Sequence, residues 1–103
     1  TMRATPGAGN DREPLREARA LARADELLAS DPAQSLAIVA ELSRAPRPGY
    51  LEEERQYIEV MALYGVGRRA DADQAADRFL SRYRSSAFRE RMKAARKTAA
   101  SRP

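Results

Sequence analysis

The side chains of this chain that could do chemistry are its charged ones, because the sequence contains neither histidine nor cysteine. That removes disulfides, thiol nucleophiles, imidazole acid–base catalysis and the usual zinc ligand sets together. Carboxylates remain, as one group of Glu52, Glu53, Glu54 and Glu59 and another of Asp71, Asp73 and Asp77. Three consecutive residues on a helix point in different directions, so Glu52 to Glu54 do not converge on one metal or substrate. At the start of a helix they stand where the dipole favours anions. Asp73 and Asp77 share a helix face, and their place early in a helix invites the same explanation. With no convergent acid–base set, the expectation is no enzyme, no cofactor and no metal site.

The cations are more numerous, seventeen Arg and two Lys. Arg68 and Arg69 fall at a turn between helices, where they either clamp a phosphate or carboxylate or cap the preceding helix by bonding its last carbonyls. Capping or plain solvation is the expectation. The last segment, 85–103, carries six basic residues against Glu90 alone, a net of +5, which leaves the other 84 residues at −1 of the chain's +4. Arg89, Arg91, Lys93, Arg96 and Lys97 thus form a candidate basic patch for a nucleic acid or an anionic surface. RNA recognition usually adds exposed aromatics for stacking, whereas Phe88 lies on the packing stripe of this helix. A terminal helix of a stacked array also needs a charged outer face for solubility.

Tyr50, Tyr57 and Tyr64 recur at spacing seven on one side of a helix. They either pack inward with hydroxyls at the rim or form a ridge beside a groove that holds a partner segment. The candidate partner-binding set is Tyr57, Tyr64, Arg55, Arg68 and Arg69.

Helices must position all of these. Alanine fills 21 positions and no β-branched alternation occurs, so no strand is expected. Residues 1–10, TMRATPGAGN, have no periodicity and read as a disordered leader. Asn10 or Asp11 caps a first helix, with Pro14 tolerated in its first turn and Leu15, Ala18, Leu21, Ala22, Ala24, Leu27 and Leu28 as its apolar face, to about Ser30. Asp31, Pro32 and Gln34 make a capping-box-like start for a second helix, whose stripe is Leu36, Val39, Ala40 and Leu42 with Ile38 on a flank. The prolines and glycine of APRPG, 45–49, end it. A third helix, from Tyr50 to about Gly65, is apolar on two faces: Leu51, Ile58, Met61 and Ala62 on one, Tyr57, Val60 and Tyr64 on the other. It is therefore the central helix. A fourth carries Ala72, Ala75, Ala76, Phe79, Leu80 and Tyr83, and a fifth, from about Ala87 to Thr98, carries Phe88, Met92, Ala95 and Ala99. Leu36, Ile58 and Phe79 are expected to be buried. Residues 11–99 form the folded domain and 100–103 a disordered tail.

The chain also repeats itself. LSRAP (42–46) is echoed 38 positions later by LSRYR (80–84), and PGYLEE (48–53) aligns with SAFRER (86–91). The unit is a helix, a turn and a second helix. A pair with one apolar side cannot bury it alone, so pairs stack. Here the chain resembles the tetratricopeptide family, best over VMALYGVGRRADADQAADRFLSRYRSS (60–86) and more loosely over 12–95. Leu63 and Gly67 resemble the pattern that ends the family's first helix. Ala75, Phe79 and the turn after Tyr83 resemble its second-helix alanine, aromatic and terminating turn. The sequence departs from the pattern at Arg84, where the family's helix-ending proline is expected, although Pro46 stands at the aligned position of the other copy. It departs again at Glu41, aligned with Phe79.

The resemblance implies an all-α array of about five antiparallel helices and a scaffold that binds another protein, or another domain of the same polypeptide. It is most similar to bacterial modules of extracytoplasmic assembly and signalling proteins, which favours an extracytoplasmic location. The alternative is nucleic-acid or anionic-surface binding through the last helix. No apolar run is long enough to span a membrane, and a chain opening on Thr reads as part of something longer.

Overall fold

The computed structural model describes the backbone of residues 6–44 and 51–101, with side chains from Leu15 onward in those ranges. It is all-helical there, with no strand: α1 (Pro6–Leu27), α2 (Pro32–Arg44), α3 (Glu52–Gly65), α4 (Arg69–Arg82) and α5 (Arg89–Ala100). Residues 1–5, Tyr50, APRPG and 102–103 lie outside the described residues, and Ala100, placed in the expected tail, closes α5. The first helix begins at Pro6, ahead of the expected cap at Asn10 or Asp11. Pro14 is therefore inside the helix, where its missing N–H removes one intrahelical bond.

The start of α2 and the end of α3 each have a local chemical cause. Asp31 Oδ1 accepts the backbone N–H of Gln34 at 3.2 Å, the N-cap bond the sequence promised for α2. At the end of α3, the Arg68 N–H donates to the Leu63 carbonyl (3.0 Å) and the Gly67 N–H to the Tyr64 carbonyl (3.1 Å). These are the two bonds of a Schellman stop, and it needs a left-handed residue at Gly67, where φ is 85°. Gly65 serves a different need. A Cβ there would sit 2.6 Å from the Pro32 Cβ, so the absent side chain lets the end of α3 approach the start of α2.

Helix α3 is the central element, packed against all four others, while α2 and α4 flank it without touching each other among the described residues. Its two apolar faces supply Tyr57, Ile58, Val60, Ala62, Leu63 and Tyr64 to the core. Helix α4 contributes Ala72, Ala75, Ala76 and Phe79, and α5 contributes Met92. The alanines allow close approach, and Phe79 fills the space they leave. Helix α1 contributes Leu21 and Ala24, and α2 contributes Val39 and Ser35. Ser35 is fully buried because its hydroxyl donates to the Ala24 carbonyl at 2.7 Å, which ties α2 to α1. Ile58 and Phe79 are buried as expected; Leu36 is only half-buried, and Ala22, Ala40 and Leu15 face outward.

Burial in α2 and α4 does not follow the 38-residue offset of the letters. At an offset of 38, buried Phe79 falls on exposed Glu41 and buried Val39 on exposed Asp77. At 37 the faces coincide: Ser35 with Ala72, Ile38 with Ala75, Val39 with Ala76 and Leu42 with Phe79. Between α3 and α5 the match is partial: Ile58 falls on half-buried Ala95 and Ala62 on half-buried Ala99, whereas buried Tyr57 and Val60 fall on exposed Ala94 and Lys97. The starts of α2 and α3 map onto those of α4 and α5 at the same offset. The literal echo LSR misleads by one residue, which amounts to a turn of about 100° on a helix.

Candidate functional site

A groove of about 360 Å³ opens between α2 and α4, floored by α3. Its lining comprises Ser43 of α2, Arg55, Gln56, Glu59 and Val60 of α3, and Ala75, Arg78 and Arg82 of α4. The floor follows from helical spacing. Glu52, Arg55, Gln56 and Glu59 stand at i, i+3, i+4 and i+7, so they form one polar stripe between the two apolar faces of α3. Val60 and Ala75 lie beneath these side chains and are buried.

The electrostatics divide the lining into tied and untied charges. Arg82 reaches across from α4 to Glu52, with nitrogen–oxygen distances of 3.2 and 3.3 Å, and Gln56 donates to the same carboxylate at 3.1 Å. This triad is self-satisfied and fixes the lower end of the groove. Arg55, Arg78 and Glu59 make no ion pair or side-chain hydrogen bond among the described residues. The lining thus retains two uncommitted guanidiniums and one uncommitted carboxylate.

The other candidate residues are placed as follows. Tyr57 is 5% exposed and stacks on Phe88, with ring centroids 4.1 Å apart and planes 11° from parallel. Tyr64 is 6% exposed and donates its hydroxyl to Asp73 Oδ1 at 2.5 Å. Burial, and then the bond and charge of Asp73, hold its phenol well above the usual range. Both tyrosines therefore pack inward and present little surface. Arg68 does not cap α3 with its side chain: it holds Asp71 at 2.7 and 3.0 Å, and Arg69 lies 3.9 Å from Asp73. Of the five candidate contacts, Arg55 alone lines the groove.

The basic helix is split in the same way. Arg96 turns back to α4, donating to Asp77 at 2.7 Å and lying 3.4 Å from Asp73, and the Asp77 bond raises its already high pKa. Arg89 donates to the Leu80 carbonyl at 2.9 Å, and Lys93 lies 3.8 Å from Glu90. Arg91 and Lys97 remain outward, six positions apart and on different parts of the helix circumference. Arg89, Lys93, Arg96 and Lys97 stand at i, i+4, i+7 and i+8 and share one face, from which Arg91 is apart. Asp73 and Asp77 thus orient α5, a role the helix-dipole argument overlooked. An i, i+4 acidic pair facing bases one helix later was the available sign.

Among the described residues, no cluster of three or more acidic side chains is placed to hold a metal ion, and no helix is long and apolar enough to cross a membrane. No protein-family model matches the sequence, and no curated protein or solved structure matches it.

Proposed function

We propose that this chain is a protein-interaction module, a scaffold of two tetratricopeptide-like helix pairs (α2–α3 and α4–α5) preceded by α1. Its groove between α2 and α4 takes an extended segment of a partner protein. The observation that carries the reading is the untied charge in the groove. Within the lining, Arg82 is committed to Glu52, yet Arg55, Arg78 and Glu59 have no ion pair or side-chain hydrogen bond among the described residues. Charges that line a groove without internal partners are suited to an external one. The 37-residue equivalence of the helix pairs supports the repeat reading. The lack of histidine and cysteine favours binding over catalysis.

The pairing of Arg89 and Arg96 with α4 disfavours the nucleic-acid alternative, because it takes two bases of the last helix's shared face. The test is selection of binders from a random displayed peptide library, followed by comparison with Ser43→Trp. Ser43 is exposed on the groove wall, so the indole obstructs the groove without entering the core. The reading expects binders that lose affinity for Ser43→Trp; a selected set indifferent to it would refute the groove.

A further inference from the structure

The charge pattern of the groove specifies the chemistry of its occupant. We infer that the segment it takes carries an acidic side chain, held between Arg55 and Arg78, with a basic side chain close by in sequence to meet Glu59. This rests on the groove reading above and goes beyond it in naming the recognition chemistry.

The argument proceeds by elimination among the lining charges. Arg82 and Glu52 neutralise each other, and Gln56 supports the pair from the same carboxylate, so that corner needs no ligand charge. Arg55 on the floor and Arg78 on the α4 wall are then the two unmatched cations of the lining. They belong to different helices, so they approach a ligand from two directions. A guanidinium offers a planar fork of donors that matches a carboxylate, and two such forks from separate elements favour an anion between them.

Glu59 excludes a purely acidic occupant. It lies one helical turn beyond Arg55 on the same stripe and is half-buried, so a second ligand carboxylate there would meet like charge. A lysine or arginine near the acidic residue removes that penalty and pairs the last uncommitted charge. The occupant is a stretch of polypeptide rather than a small anion, because one segment can bring both an acid for the two guanidiniums and a base for Glu59.

The test uses peptides recovered by display and lost on Ser43→Trp, resynthesised with acetylated and amidated ends. Their sequences are expected to share an Asp or Glu with a Lys or Arg close by. Replacing the peptide acid by its amide, or making Arg55→Gln or Arg78→Gln in the protein, is expected to weaken binding about tenfold or more. Arg78→Glu is expected to regain affinity for a peptide whose acid is changed to Lys. Glu59→Gln should reduce the preference for the peptide's base and leave the acid dependence intact. Groove-dependent peptides without an acidic residue, or with unchanged affinity for both arginine variants, would overturn this inference and leave the groove reading standing. Binding lost on amidation of the C-terminus alone would also overturn it, since the anion would then be a chain end. Recovery of no peptide sensitive to Ser43→Trp overturns both.

Discussion

Tyr57 of α3 and Phe88, the residue that leads into α5, lie ring over ring with centroids 4.1 Å apart. The stack seats the last helix on the central one, and Met92, fully buried one turn later, extends the same contact. Tyr57 is thereby a structural residue, although it stands on the helix that floors the groove. A double-mutant cycle with Tyr57→Ala and Phe88→Ala should give a coupling of about 0.5–1.5 kcal/mol in denaturant unfolding. Additive losses would mean that the rings do not interact in solution.

Phe79 has no exposed surface and sits among the small residues of α4 and the faces of α3. Phe79→Ala should cost about 3–5 kcal/mol by chemical denaturation, a large part of the stability expected of so small a domain. A loss under about 1 kcal/mol would contradict the packing of α4 on α3.

The helices were legible because their causes are local. Asp31–Pro32–Gln34 starts α2, Gly67 stops α3, and the two apolar faces of α3 announce a helix packed on several sides. The fold class needed nothing more. What escaped was relational. Ser35 reads as a polar interruption until the Ala24 carbonyl is seen beside it, and Asp73 reads as a dipole residue until Tyr64 and Arg96 are seen to meet there. The letters at the ends of α2 and α4 match at an offset of 38, whereas burial in these two helices coincides one residue shorter. Of the polar residues that line the groove, Arg55 and Glu59 were named from the sequence, one as a candidate contact and one within a carboxylate group. Arg78 and Ser43 were not, because a groove is made by the spacing of α2 and α4, which no single helix encodes.

The serine clasp gives a prediction of its own. Ser35→Ala removes the 2.7 Å bond to the Ala24 carbonyl while keeping the close approach of α1 and α2. The expected loss is about 1–2 kcal/mol, with faster amide exchange in α1 than in α3. Unchanged stability would show that the bond contributes nothing net.

Tyr64 sets the alkaline limit. Its phenol is raised by burial first and then by Asp73, while an unfolded tyrosine titrates near pH 10. A raised folded value means that the native state keeps its proton after the unfolded state begins to release it. The stabilisation is therefore complete below about pH 10 and is lost as pH rises beyond it. Tyr64→Phe should be less stable than the parent at pH 8, and the difference should shrink as pH climbs past 10. A difference that stays constant to pH 11 would contradict the Tyr64–Asp73 assignment.

The most direct measurement of the central claim is an amide-resolved NMR titration of the isotope-labelled chain with a peptide recovered by display. The groove account predicts that the largest shifts fall on Ser43, Arg55, Gln56, Glu59, Ala75 and Arg78, with α5 little changed. Shifts concentrated on Arg91, Lys93 and Lys97, with the α2–α4 groove silent, would contradict it.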